Sequence, residues 1–435
     1  IFAAGLRVPH RTMNIVYNTA LIFAKAVLNL FAAGQGGRPG ESKFRKFARG
    51  QRRLTARIRE ECSGTEDNRP TIWFHAASLG EYGVARPIIR EFVKDGRWRI
   101  VLTFFSPTGC EALKDRHEGI DCVSYLPLDT RGNVRRFLDT VRPQRAVFII
   151  SEYWLNYLEE LRLRRIPTFL ISAVITRRAP FFKWYGRPYR KALQTYTRIT
   201  VLNEESRANL ESFGYTSVTV TGDPLFDNVA AAASTPYSDP TVEKFSRAAE
   251  GRIFIAGSTS DDNDIRLVTA LANANPDIHF LIVPHEITPE SIGDIRSRLH
   301  GRSLLHSECG PDTSFADVQT LIIDFVGALA YLYRYARWAY VGGGFTPYLH
   351  SIIEATVYGL PVAFGPEIHR KVVPEELIRL GIGRIVRTPE EICRWLEPLK
   401  DDDVELRRIK ESATSYARSK CGATEMIFRI CACSQ

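Results

Sequence analysis

The sequence predicts an α/β protein of two doubly wound, parallel-sheet domains, and three observations carry that expectation. From Pro70 onward short apolar runs alternate with longer amphipathic segments, the pattern of βαβ units. The 435 residues leave room for two such domains. Near the middle, after Asn228, the stretch VAAAASTPYSDP is small, polar and proline-bearing, and it reads as a linker.

The runs at Ile72–Phe74, Ile100–Phe104, Val123–Leu126, Ala146–Ile150, Thr168–Ile171 and Ile199–Leu202 are the buried strands expected of the first domain. A second series at Ile253–Ala256, His279–Val283, Thr320–Ile323, Ala339–Val341 and Pro361–Phe364 builds the other. Two such domains would put a ligand cleft between them. With 45% hydrophobic and 25% charged residues the composition is that of a folded globular protein. A net charge of +9 points to an acidic partner: nucleic acid, anionic lipid or a phosphorylated substrate. The eight cysteines form no regular framework. Cys431 and Cys433 stand too close for a zinc knuckle and no CxxC occurs, so reduced thiols in a cytosolic compartment are expected.

Residues 1–12 show no pattern, and Met13 reads as a natural start. The segment from Ile15 to Ala33 is apolar over about 19 residues, close to the length of a membrane-spanning helix. Asn14, Asn18, Lys25 and Asn29 fall within roughly 60° of one another on a helical wheel, a thin polar stripe on a greasy helix. That pattern fits a helix lying in, or dipping into, one leaflet. Nine basic residues between Arg38 and Arg59 meet only Glu41 and Glu60, and such charge beside an apolar anchor marks a cytoplasmic membrane face. Neither an RNP-like aromatic motif nor a zinc-finger pattern accompanies it, which disfavours nucleic acid.

The stretch Thr71–Tyr82, TIWFHAASLGEY, organises the first domain. An apolar strand empties into a turn of small residues, and a helix opens just beyond Gly80-Glu81. Its carboxylate, with His75 and Ser78 close by, would stand at the carboxyl edge of the sheet, suited to take a proton from a hydroxyl. A plainer reading has Glu81 capping the helix. In the second domain, Gly257, Ser258 and Thr259 follow a strand at a helix start, an arrangement suited to phosphate. Gly342, Gly343 and Gly344 would let a ligand approach the backbone closely. Glu354, on the helix opened by His350-Ser351, would hold the hydroxyls of a ribose, or pair with Ser351 in a capping box.

At these residues the chain resembles a known family. HAASLGE is similar to the HAxSxGE signature of 3-deoxy-D-manno-octulosonic acid (Kdo) transferases, which attach Kdo to the lipid A precursor. SEYWLN at Ser151–Asn156, TGDPLFD at Thr221–Asp227, AGSTSDD at Ala256–Asp262 and the GGGF…HSIIEA…GP block agree in order. The resemblance implies a GT-B fold of two Rossmann-like domains with an N-terminal membrane-associating helix. It implies CMP-Kdo as donor substrate, inversion at the anomeric carbon, and neither cofactor nor metal. The partners it implies are the lipid A precursor and the anionic, cytoplasmic face of the inner membrane. By the same resemblance Glu81 is the general base, and Glu152, at the second acidic position, supports Glu81 or the acceptor. Ser258 and Thr259 meet the donor phosphate; Gly342, Gly343, Gly344, Phe345, Ser351 and Glu354 hold CMP. His75, Ser78, Gly80, Arg177 and Arg178 are expected on the acceptor side.

The chain departs from the family pattern at several points. Val283-Pro284-His285-Glu286 stands where Pro-Arg-His is usual, so the donor-phosphate arginine is missing and its place falls to His285 or to a residue elsewhere. Leu155 replaces a proline, and AVITRRAPFFKWY stands where an Arg-Leu-Ser run is usual. In that segment Phe181, Phe182, Trp184 and Tyr185 suit either a lipid-facing rim or the core. The expected boundaries are an anchor helix at 13–34, an acceptor domain at 35–228, a CMP-sugar domain at 229–414, and a helix at 415–435 returning to the first domain. Two alternatives are a GT-B-shaped nucleotide-sugar 2-epimerase and a catalytically silent membrane-binding relative.

Overall fold

A computed structural model describes residues 17–24, 26–27, 43–51, 54–62, 67–113, 119–368 and 371–433. The chain divides into two compact units, Ile1–Asp227 with Gly422–Gln435, and Asn228–Cys421.

The first unit holds a seven-stranded sheet in the order β3-β2-β1-β4-β5-β6-β7. Its strands are β1 (Thr71–Ala76), β2 (Arg99–Phe104), β3 (Cys122–Tyr125), β4 (Arg145–Ile149), β5 (Thr168–Ala173), β6 (Arg198–Val201) and β7 (Val218–Val220), and every pairing is parallel. All six residues of β1 are buried, which explains why the strand reads as a continuous apolar run rather than an alternation. Trp73 anchors the sheet, with the rings of Phe137, Phe148 and Tyr157 centred 4.8, 5.2 and 5.5 Å away.

The second unit repeats the design with strands in the order β10-β11-β9-β8-β12-β13-β14, again all parallel. These are β8 (Ile253–Thr259), β9 (His279–Pro284), β10 (Ser303–Leu305), β11 (Thr320–Ile322), β12 (Trp338–Val341), β13 (Val362–Phe364) and β14 (Gly383–Ile385). Each sheet reverses its winding once, between β1 and β4 and between β8 and β12. In open α/β sheets that switch point opens a crevice at the carboxyl ends of the strands. The architecture is of GT-B type, as the sequence predicts.

Several details differ from the sequence reading. The first half of the expected linker is helix, the end of Pro224–Ser234, because its alanine run is among the best helix-forming sequences. The three-residue strands β7, β10 and β14 escaped notice. Cys62 and Cys122 are bonded rather than reduced, their Cα atoms 5.4 Å apart, since the end of the helix Leu54–Cys62 meets the start of β3. The C-terminal segment is two helices, Asp403–Lys420 in the second unit and Ala423–Cys433 in the first, broken at Gly422 with φ of 105°. Asp227 accepts from the N–H groups of Gly422 (2.6 Å) and Thr424 (2.7 Å), capping the last helix. Phe428 then seats on Phe92 at 4.8 Å.

Most of the expected anchor, residues 13–34, lies outside the described residues. Residues 17–24 and 26–27 are helical. Tyr17 donates to the Asp129 carboxylate (2.6 Å), and the Asn156 side-chain amide donates to Asn18 (3.0 Å). Tyr17, Asn18, Leu21, Ala24 and Val27 are half-buried, while Ile22 and Phe23 are exposed by 64% and 72%. Among the described residues no helix is long and apolar enough to cross a membrane.

Candidate active site

At the first switch point, the helix Leu79–Asp95 starts three residues after β1, with Ser78 as its N-cap. The Glu81 carboxylate turns back and accepts the Ser78 N–H, as in a capping box. Its other oxygen has no hydrogen bond or ion pair among the described residues. Leu79 and Gly80 are exposed, Ser78 and Glu81 half-buried. A Cβ on Gly80 would meet only Ser78 Oγ, at 3.6 Å, so the fold does not require glycine there.

His75, expected on the acceptor side, is fully buried. Its Nδ1 lies 3.0 Å from Thr103 Oγ1 and 3.1 Å from the Thr103 carbonyl. Its Nε2 faces Glu152 Oε2 at 3.6 Å and has no hydrogen-bond partner. Glu152 follows β4 after Ile150, whose φ of 67° is a conformation β-branched residues avoid. The Glu152 carboxylate accepts the indole N–H of Trp154, and its backbone carbonyl accepts the Tyr196 hydroxyl. A buried carboxylate therefore stands beside His75 near the end of β1, oriented by the Trp154 indole, with its backbone fixed by Tyr196.

Arg177 and Arg178 are exposed, in the connection that follows β5, with the Arg177 guanidinium 6.0 Å from the Phe182 ring. Nearby, Phe181 belongs to the core and Phe182 packs on Phe213 at 4.4 Å, whereas Trp184 is 76% exposed beside Tyr185. Only the last two aromatics fit the lipid-facing reading.

The second switch point is built of backbone. Ser258 adopts φ of 55° where the β8–β9 register slips between Gly257 and Thr259. The Thr259 hydroxyl is buried without a partner. The three glycines pack main chain against main chain. A Cβ on Gly342 would strike the Ser258 carbonyl, and one on Gly344 would lie 2.5 Å from the Gly365 nitrogen. Gly343 has φ of 83°. The sequence reading gave these glycines to a ligand; the fold itself demands them.

Asp264, which sequence reasoning passed over, ties these turns together from full burial. It accepts from Ser260 N–H (2.9 Å), Ser260 Oγ (3.2 Å), Tyr340 OH (2.6 Å) and Gly343 N–H (2.8 Å). The His285 N–H donates to the Thr259 carbonyl at 2.9 Å, and its ring lies 4.4 Å from that of His350. Burial, and secondarily His285, lowers His350 to about 4. Lys371 closes the group, donating to the Leu349 carbonyl, its own pKa lowered by burial. Lys371 also escaped notice, for it lies outside every recognised block. Glu354 sits half-buried in the first turn of the helix Ile353–Val357. Ser351 is exposed and accepts from the Ile353 N–H at 3.4 Å, while Phe345 packs against the core of the unit. Among the described residues no group of three His, Cys, Asp or Glu side chains is placed to hold a metal.

Comparison with known proteins fits this geometry. Residues 49–228 match the family model of the 3-deoxy-D-manno-octulosonic-acid transferase (kdotransferase). The 3-deoxy-D-manno-octulosonic acid transferase of Bordetella pertussis is 27% identical over 374 residues, 81% of this chain and 85% of the relative. That of Chlamydia trachomatis serovar A is 25% identical, covering 83% and 85%. The UDP-GlcNAc 2-epimerase of Neisseria meningitidis, solved with UDP-GlcNAc, superposes with a TM-score of 0.58 at 15% identity, covering 82% of this chain and 98% of that one. At that identity the likeness is one of fold alone, whereas the sequence matches run over both units to transferases. Residues 49–228 thus carry the match to the 3-deoxy-D-manno-octulosonic acid transferase family model, and the chain over both units is similar in sequence to transferases of that name.

Proposed function

We propose that this chain moves Kdo from CMP-Kdo to a glucosamine hydroxyl of the lipid A precursor, lipid IVA, with Glu81 as general base. The observation that carries the reading is the Glu81 carboxylate itself: one oxygen is held by the Ser78 amide and the other is left for a substrate. The acceptor oxygen attacks the anomeric carbon of Kdo from the face opposite the leaving group, so the configuration inverts. Its proton passes to Glu81, and the bond from that carbon to the phosphate oxygen breaks with its electron pair going to CMP. Glu152 acts as a positioning residue through His75, which underlies the turn that carries Glu81.

On the donor side, the Ser258 turn and Thr259 hydroxyl face the phosphate and Glu354 the ribose. Lys371, rather than His285 alone, supplies the positive charge that the missing arginine would have given. A half-buried cation meeting a phosphate attracts it more strongly than one in bulk water. A neutral His350 beside it donates a hydrogen bond without adding a competing charge. No metal enters this reading. Ile22, Phe23, Trp184 and Tyr185 are exposed apolar groups, and with the basic segment before β1 they suit the anionic cytoplasmic face of the inner membrane.

Incubating the full chain with CMP-Kdo and lipid IVA and weighing the products tests the reading. The expected result is a glycolipid heavier by one Kdo unit or more. An unchanged lipid mass alongside consumed CMP-Kdo, or no reaction in either, rejects it.

A further inference from the structure

The second unit carries a cavity of about 490 Å³ that the transfer reaction leaves unused. Its walls are the turns that enter β8, β12 and β13, at Gly251, Tyr333–Arg337 and Tyr358–Pro361, and the first half of the helix Asp403–Lys420. These turns lie at the amino ends of the strands, the sheet edge opposite Ser258 and the glycine loop. Its volume falls within the range of small-molecule sites, ~300–1,000 Å³.

Four cations line the cavity, Arg334, Arg337, Arg407 and Lys410, against the single carboxylate of Asp403. Arg334 is committed to the fold: it donates to the carbonyls of Ala232 (3.3 Å) and Thr235 (2.9 Å) and lies 6.0 Å from the Tyr358 ring. Arg337 pairs with Asp403 and lies 5.3 Å over the Trp338 ring, which holds its partly exposed guanidinium at the cavity wall. Arg407 and Lys410 are exposed and make no ion pair among the described residues. Like charges so gathered repel one another until an anion joins them.

We propose that this cavity binds a phosphate-bearing anion, taken between the guanidinium groups of Arg337 and Arg407 and the Lys410 ammonium. Planar guanidinium pairs recognise phosphate oxygens two at a time, which a lone surface lysine does not. A soluble phosphate ester and the headgroup of an anionic phospholipid share this chemistry.

Two titrations of the full chain separate the sources: inorganic pyrophosphate followed by calorimetry, and vesicles of phosphatidylglycerol in phosphatidylcholine followed by sedimentation. Each is repeated with an Arg407→Ala/Lys410→Ala double variant, whose exposed side chains leave the fold intact by thermal melting. Loss of pyrophosphate affinity in the variant by about tenfold or more supports the site and assigns it to soluble phosphates. A comparable loss confined to the vesicles supports the site and assigns it to lipid headgroups. Asp403→Asn, which removes the one opposing carboxylate, should tighten whichever ligand binds. Equal binding by wild type and double variant in both titrations, or no binding in either, overturns the proposal. Neither result depends on the identity of the sugar donor or acceptor.

Discussion

Glu81 and Ser78 are joined through the backbone: the glutamate carboxylate accepts the serine N–H at the mouth of the helix Leu79–Asp95. Capping and the proposed base catalysis, which the sequence offered as rivals, would use different oxygens of one side chain and so are compatible. Glutamine preserves the cap and abolishes the base, since Gln serves at that position of a capping box but does not accept a proton. Glu81→Gln is expected to lower transfer at least ~100-fold with stability unchanged within ~0.5 kcal/mol. Glu81→Ala should lose both. Product formation by mass, paired with urea unfolding, checks this; a Gln variant that transfers at near-normal rate removes Glu81 from the chemistry.

Two glycines predict opposite outcomes when given a methyl group. Gly344→Ala forces a Cβ to within 2.5 Å of the Gly365 nitrogen, main chain that has no side chain to swing aside. The expected cost is about 1–3 kcal/mol, with weaker CMP binding as the turns part. At Gly80 the methyl makes only an ordinary contact with Ser78 Oγ, and alanine favours a helix by up to ~1 kcal/mol over glycine. Gly80→Ala should therefore melt no lower than wild type while transfer falls, because an acceptor brought close to Glu81 meets the new methyl group. Full activity in Gly80→Ala would show that no ligand approaches there.

Long buried strands were legible because β1, β2 and β5 are buried throughout and largely apolar, with no solvent face to interrupt the run. The edge strands β7, β10 and β14 have three residues each, half-buried in the main, too short for any periodicity to register. Glu81 and the glycine loop could be found because each ends a strand and opens a turn. Asp264 and Lys371 could not: each acts through contacts with chain tens of residues away, Gly343 and Leu349, which only the fold brings near. His75 is the converse case. It sits beside the Glu81 turn in sequence, but the strand directs its ring inward, onto Thr103 and Glu152.

Lys371 is the cation proposed to stand opposite the donor phosphate, and burial has already lowered its pKa from 10.5. Lys371→Met should weaken CMP binding roughly 10–100-fold, the worth of a hydrogen bond to a charged group, whereas Lys371→Arg should retain more of it. The pH profile carries the sign. As pH rises through the depressed value the lysine loses its charge, so wild-type affinity declines at a lower pH than an ordinary lysine would dictate. The arginine variant stays charged and should show no such decline. Calorimetric titration of CMP from pH 7 to 10 compares them; identical profiles would exclude Lys371 from the donor site.

Asp129 holds the N-terminal helix through the Tyr17 hydroxyl, and accepts the N–H groups of Asn156 (3.1 Å) and Tyr157 (2.9 Å). Burial nevertheless outweighs these donors and raises the carboxyl to about 7. Because the folded value lies above the unfolded one of 3.8, the native state keeps a proton that the unfolded chain has released between about pH 4 and 7. Stability from this group is therefore greatest at the acid end of that window and declines as pH rises, by at most ~1.4 kcal/mol per pH unit. Asp129→Asn cannot ionise, so its stability should fall less than that of wild type between pH 5 and pH 7.5. Urea unfolding of both proteins at the two pH values measures the difference. Parallel slopes would mean that Asp129 ionises in the folded protein as freely as in the unfolded chain, with the Tyr17 contact independent of its charge.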